Sequence, residues 1–255
     1  MTMTEGSFVW YELVTSDPAA AAFYADVVGW TMQDMGQPDM PYTIASIGTR
    51  PVGGIMGFPP EMQVQRAAWR GYVLAADVDA MAERVKEAGG TVHREPMDIP
   101  DVGRFAVVSD PQGAVFMLFR GDGTPPPDLP LHTPGTIAWH ELHARDWEQA
   151  FPFYQGLFGW RKADAVDMGP MGTYQLFSTG AEPVGGMMSA PQAPLPGWLY
   201  YIMVDDIDAA AARIAQAGGT ISNGPHPVPG GGWIVQAADP QGVAFALTGP
   251  RLAAE

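Results

Sequence analysis

Apolar positions along this chain follow two periods, and the order of the periods itself recurs. Phe8–Val14 is a run of aromatic and β-branched residues that predicts a strand. Asp17-Pro18 predicts a helix N-cap with proline at the first helical position, and Gly29 predicts its end. Between them Phe23 and Val27, four apart, share one helix face. Tyr42–Gly48 and Val52–Met56 read as short strands punctuated by Gly48 and by Gly53-Gly54. The sequence then starts again. Trp69–Ala75 predicts a strand, and Asp77 caps a helix whose Val78, Met81, Val85 and Ala88 keep helical spacing up to Gly89-Gly90. Strands at Arg104–Val108 and Ala114–Phe119 flank the turn Asp110–Gly113. The pattern is α+β, built from β-α-β-β-type modules.

Two such pairs of modules follow one another. Trp10-Tyr11-Glu12-Leu13 returns as Trp139-His140-Glu141-Leu142, and Phe23-Tyr24 with Gly29-Trp30 returns as Phe153-Tyr154 with Gly159-Trp160. Pro51-Val52-Gly53-Gly54 meets Pro183-Val184-Gly185-Gly186, and Ala88-Gly89-Gly90-Thr91 meets Ala217-Gly218-Gly219-Thr220. Asp110-Pro111-Gln112-Gly113 meets Asp239-Pro240-Gln241-Gly242. Ile207, Ala210, Ile214 and Ala217 repeat the helix spacing of the first copy. Collinear matches of this kind mark a tandem duplication. Residues 8–119 and 137–248 are the two copies. The expected domains are residues 1–120 and 136–255, joined by a stiff, extended linker over residues 121–135 that includes Gly121–Thr124 and Pro125–Pro127.

Composition narrows the chemistry. Cysteine is absent, which excludes disulfides, thiolate nucleophiles and cysteine-ligated metals. The net charge is −15, and Lys86 and Lys162 are the lysines. So acidic a surface repels phosphate backbones and anionic lipid, so neither nucleic acid nor membrane is an expected partner. Met1–Gly6 carries no basic stretch followed by an apolar run, so a cytoplasmic location is the expectation. There is no dinucleotide fingerprint, P-loop or nucleophile elbow in the sequence. The glycine pairs lie inside strand patterns, where glycine marks a bulge or a close backbone approach rather than a phosphate cradle.

The strand ending in Leu13, the Phe23-Tyr24…Gly29-Trp30 run, the Gly89-Gly90 pair and Asp110-Pro111-Gln112-Gly113 resemble the vicinal oxygen chelate superfamily. That superfamily holds glyoxalases, bleomycin-resistance proteins and extradiol dioxygenases. The resemblance covers both copies and is nearest to two-domain, glyoxalase-like members. It implies tandem glyoxalase-like domains, each of two paired βαβββ modules forming an incomplete barrel around a cavity. It also implies a divalent metal in that cavity. The ligand positions it implies lie seven residues before the capping aspartates and seven after the aspartate of the Asp-Pro-Gln-Gly turn. They fall on Trp10, Arg70 and Met117 in one copy and on Trp139, Leu199 and Ala246 in the other. None is an oxygen or imidazole donor, and a lone thioether does not hold a hard divalent ion. The expectation is therefore no metal and no cofactor, with these positions lining a ligand cavity instead. Glyoxalase chemistry on a glutathione hemithioacetal is correspondingly disfavoured.

His140-Glu141-Leu142-His143 is not a zinc-protease motif, and on a strand its two histidines point to opposite faces. Parity instead groups Phe8, Trp10 and Glu12 on one face, and Trp139, Glu141 and His143 on the equivalent face of the other copy. By the resemblance this is the cavity face. Glu12 and Glu141 are candidate acid–base groups; the plainer reading is a buried hydrogen bond or ion pair, with Arg70 a partner in the first copy. His226, in a proline-rich stretch read as a loop, is a third candidate, and its counterpart is Met97. The expected function is binding of a small, partly aromatic organic molecule, of sequestration or resistance type. The alternative is a metal-independent enzyme, such as a cyclase, isomerase, lyase or hydroxylase-associated protein, using Glu12, Glu141 or His226. Monomer and homodimer both fit.

Overall fold

A computed structural model describes residues 4–17, 19–36, 41–58, 66–123, 129–130 and 132–252. The first module runs β1 (Phe8–Thr15), α1 (Ala20–Val28), β2 (Thr31–Asp34), β3 (Tyr42–Ile47) and β4 (Arg50–Gly57). The second runs β5 (Ala68–Leu74), α2 (Val78–Glu87), β6 (Thr91–Ile99), β7 (Gly103–Ser109) and β8 (Val115–Gly121). In the second copy the third module is β9 (Ile137–Ala144), α3 (Trp147–Phe158), β10 (Arg161–Asp167), β11 (Thr173–Ser178) and β12 (Pro183–Ser189). The fourth is β13 (Gly197–Met203), α4 (Ile207–Gln216), β14 (Thr220–Pro227), β15 (Trp233–Ala238) and β16 (Ala244–Gly249). The fold is α+β, as the pattern predicts. Each copy contributes one open sheet, in the orders β2-β3-β4-β1-β5-β8-β7-β6 and β10-β11-β12-β9-β13-β16-β15-β14. No helix among the described residues is long and apolar enough to cross a membrane.

Of the four α-helices among the described residues, three start as the aspartate pattern predicts. Asp77 accepts from the Ala80 amide, Asp146 from the amides of Glu148 and Gln149, and Asp206 from that of Asp208. The first does not. Helix α1 begins at Ala20 behind Ala19, which makes no side-chain cap. Asp17 is spent one step earlier: its carboxylate accepts from the Ala19 amide and its carbonyl from the Ala20 amide, closing an i to i+3 turn ahead of the helix. Pro18 and the linker segment 124–128 lie outside the described residues.

Contacts divide the chain into two compact units, and each draws on both copies. One comprises Met1–Trp10, Arg70–Leu129 and Trp139–Trp198; the other comprises Tyr11–Trp69, Pro130–Ala138 and Leu199–Glu255. In the first unit, Val78, Met81 and Val85 of α2 and Phe153, Tyr154 and Leu157 of α3 share a core with Phe116, Leu118 and Leu142. Full burial of such side chains is worth roughly 1.5–3 kcal/mol each.

The recurring motifs are the fasteners of these units. Asp110 takes the amides of Gln112 and Ala114 on one oxygen and the Tyr154 hydroxyl, at 3.0 Å, on the other. Asp239 does the same with Gln241, Val243 and the Tyr24 hydroxyl. Gln112 brackets the backbone of Asp146, while Gln241 meets Thr15 and the Asp17 carbonyl. The indole N–H of Trp160 donates to Gly6 and that of Trp30 to Gly135. The Gly-Gly pair has two causes: Gly89 takes a left-handed φ of 84°, and a Cβ on Gly90 would lie 2.5 Å from the Ser109 carbonyl oxygen and 3.1 Å from the Phe153 ring. Each motif thus joins a module of one copy to a module of the other.

Candidate functional site

The candidate chemistry in the first unit lies on β9, its neighbour β12 and the next strand, β11. Along β9 the side chains alternate: Leu142 and Ala144 enter the helix-covered core, while Trp139, Glu141 and His143 occupy the opposite face. Strand β12 pairs parallel with β9 and antiparallel with β11. The register places Met188 beside both His143 and Tyr174, and Gly186 beside Glu141.

A chain of hydrogen bonds crosses this face. The indole N–H of Trp139 donates to Tyr174 Oη at 2.7 Å. Tyr174 Oη lies 2.9 Å from Glu141 Oε2, and His143 Nε2 lies 2.5 Å from Glu141 Oε1. Directions follow from the groups. An indole only donates, so the single tyrosine proton goes to the carboxylate. The carboxylate in turn accepts the Nε2 proton of His143. Glu141 is buried, while about a third of the His143 side chain is exposed. Both oxygens of the acid are held, and the imidazole is the open end of the network.

Glycine makes room for it. A Cβ on Gly186 would come within 2.3 Å of the Tyr174 ring, and one on Gly54 would meet the Tyr42 hydroxyl at the same separation. Gly186→Ala is expected to push Tyr174 off Glu141 and cost about 2 kcal/mol, the usual scale of overpacking. Urea denaturation of a double-mutant cycle checks this: the cost should shrink once Tyr174→Ala has emptied the space.

The other candidate positions are distributed as follows. Trp10 packs with Val9 against Tyr72, Phe105 and Met117, an apolar cluster with Phe119 at its side. Parity had grouped Phe8 with Trp10 and Glu12, but the Phe8 ring stacks on His140 at 4.2 Å in the helix-side core. Phe8 packs there against the rings of Trp160 and Trp198 as well, so it does not share the surroundings of Trp10. His140 is turned away from His143: its Nδ1–H meets the Val184 carbonyl at 2.7 Å. Burial pushes its pKa down to about 4, partly opposed by that hydrogen bond.

Arg70, in β5, is half-buried. Glu12, Leu199 and Ala246 are buried in the second unit, with Ala246 opposite Tyr201 in the β13–β16 register. Gln236 there donates to the Tyr201 hydroxyl at 2.7 Å. His226 is not in a loop. It belongs to β14, half-buried and opposite Ile234, because the proline-rich stretch still pairs with β15 across register shifts. The structure therefore brings Trp139 and Glu141 together, and Trp10 with Met117. It adds Tyr174 and His143, which the sequence reading had not ranked as site residues. Their signals were the shared parity of Glu141 with His143 and the glycine facing Tyr174.

Among the described residues, no three His, Cys, Asp or Glu side chains converge as a metal cluster. A groove of about 310 Å³ between α2 and α3 is lined by Arg84, Glu87, Phe153 and Leu157. Its Arg84 guanidinium is spent on the carbonyls of Gly156 and Leu157, so it closes the end of α3 rather than offering a ligand site.

The family model described as Glyoxalase/Bleomycin resistance protein/Dioxygenase superfamily matches residues 7–118 and again 136–247. The chain belongs to this superfamily. CFP32 of Mycobacterium tuberculosis, whose glyoxylase label is provisional, is 32% identical over 251 residues, covering 96% of this chain and 95% of that protein. The anthracycline biosynthesis protein DnrV of Streptomyces peucetius is 31% identical over 258 residues, covering 95% and 92%. The Mn(II)-bound glyoxalase from Novosphingobium aromaticivorans shares the fold, with a TM-score of 0.65 at 21% identity over 97% of this chain and 82% of that one. In this superfamily member, the positions that the resemblance assigns to metal are Trp10, Arg70, Met117, Trp139, Leu199 and Ala246.

Proposed function

We propose that this superfamily member is a metal-independent binder of a small, partly aromatic organic molecule, of sequestration or resistance type and acting in the cytoplasm. The observation that carries the reading is the Trp139–Tyr174–Glu141–His143 network. It is a preorganised polar group set in aromatic surroundings, the usual make-up of a small-molecule site. The metal positions argue the same way. Two of the six side chains belong to an apolar cluster, the Trp139 N–H is spent on Tyr174, and Leu199 and Ala246 carry no donor. These residues do not fit a divalent ion. The name of DnrV, a protein of anthracycline biosynthesis, favours planar polycyclic ligands. Neither nucleic acid nor membrane belongs to this reading, and one chain or a homodimer serves it equally.

A second reading, a metal-independent enzyme, is favoured by one observation. A carboxylate-held imidazole is a proton-transfer arrangement, so Glu141 and His143 suit it better than Glu12 or His226. Quenching of tryptophan fluorescence by a panel of planar aromatic compounds tests binding. Saturable quenching is expected, weakened about tenfold in Glu141→Gln because the charged hydrogen bond that holds His143 in place is lost. No saturable binding across the panel would overturn it. A compound consumed during the titration, with turnover lost in Glu141→Gln while binding persists, would establish the enzyme.

A further inference from the structure

The geometry points to His143 Nδ1 as the acceptor of a proton from an acidic hydroxyl on the ligand. This would place the ligand among phenols and enols rather than among neutral aromatics. The inference rests on the binding reading above and deepens it.

Glu141 Oε1 sits 2.5 Å from His143 Nε2, and the other oxygen already takes the Tyr174 proton. A carboxylate can only accept, so Nε2 carries the imidazole proton and Nδ1 of the neutral ring carries the lone pair. Tyr174, fixed by the Trp139 N–H and by the space over Gly186, prevents Glu141 from rotating away. Trp139, Tyr174 and Glu141 are positioning residues, and they present one basic nitrogen at the partly exposed end of the network.

Surroundings give the class of ligand. Met188 lies beside His143 and Tyr174 in the register, supplying an adaptable, polarisable surface. The hairpin leading into Tyr174 exposes Met168 and Met171, whose relative exposures are 38% and 57%. A thioether-rich, aromatic setting accepts a flat ring, and the one basic nitrogen selects a ring that bears an acidic O–H. Proton transfer then moves the hydroxyl hydrogen to Nδ1, leaving an oxyanion on the ligand and an imidazolium whose Nε2–H remains on Glu141. No other bond changes. The first copy lacks this device, since Val14 stands where His143 does, although Trp10, Glu12, Tyr42 and Gly54 are all repeated.

2-Hydroxyanthraquinone, whose colour reports ionisation, is the probe, and unsubstituted anthraquinone is the control. The titration is run near neutral pH, where the free dye is mostly un-ionised and an ordinary imidazole is mostly neutral. Wild-type protein is expected to bind the hydroxy dye at least tenfold more tightly than anthraquinone and to show the spectrum of the ionised dye. His143→Gln should lose the ionised spectrum and most of the preference while still binding anthraquinone. Glu141→Gln should retain part of the spectral shift, because the imidazole is still present but no longer held. Equal affinity for both dyes, or an un-ionised bound spectrum, overturns this inference and leaves the binding reading standing. An ionised spectrum that persists in His143→Gln also overturns it. No binding of either dye removes the binding reading, and this inference with it.

Discussion

Asp110→Ala is expected to destabilise the protein by about 4 kcal/mol, whereas Asp110→Asn should cost about 1 kcal/mol. The alanine strands three donors in the interior, namely the Tyr154 hydroxyl and the amides of Gln112 and Ala114. Unsatisfied buried donors cost roughly 1–3 kcal/mol each, less whatever water recovers. Asparagine keeps the oxygen that takes the two amides, and its amide group can face the tyrosine oxygen. Charge is not what the fold uses here: burial pushes the Asp110 carboxyl up, against the pull of its hydrogen bonds to Ala114, Tyr154 and Gln112. Urea midpoints of the two variants decide the point. Equal losses would mean that charge matters, and a small loss in alanine would mean that the turn does not fasten Tyr154.

Folding stability should fall by about 3 kcal/mol as pH drops from roughly 6.5 to 4, through His140 alone. The folded imidazole has its pKa depressed to about 4, against an unfolded value near 6.5. Between those limits the unfolded chain binds the proton and the folded chain does not. The stability is therefore present above pH 6.5, is lost as pH falls through the window, and changes no further on this account below 4. The cause is packing: the ring is buried against Phe8 and donates from Nδ1 to the Val184 carbonyl. Histidine ring resonances checked by NMR should show one imidazole that stays neutral down to about pH 4.5. Denaturation across the window should flatten in His140→Asn, which preserves a donor for Val184. A His140 that titrates near 6.5 in the folded protein would contradict both parts.

Much of this architecture is legible in the sequence because the same motifs occur in both copies. Helix spacing, aspartate caps and the paired motifs locate β1, the helices and the inner strands, since each has an apolar stripe or a fixed turn residue. Edge strands escape. Thr31–Asp34 and Thr91–Ile99 have one side in water, carry charges and, in the second case, Pro96, so no apolar alternation announces them. The composition of the compact units is also invisible beforehand. Nothing local states that Tyr154 will reach Asp110 of the other copy rather than Asp239 of its own.

The candidate site divides the same way. Glu141 and Trp139 follow from strand parity, and so does the company of His143, because a two-residue step keeps the face. Judged as a metal ligand, His143 has no value beside His140; as a partner of Glu141 it is central. Tyr174 could not be placed from sequence, since it reaches Glu141 only when β11 and β12 pair and Gly186 leaves the space. His226 was misplaced because prolines suggested a loop where an edge strand tolerates them.

Metal-free binding of an organic ligand is the property on which the proposed function rests. Calorimetric titration of chelator-treated protein with the best ligand of the aromatic panel, repeated after addition of manganese, zinc, nickel or iron, tests it most directly. The account predicts no stoichiometric heat of metal binding and a ligand affinity that stays within about twofold. One tightly bound metal ion, with ligand binding that appears only in its presence, would contradict it.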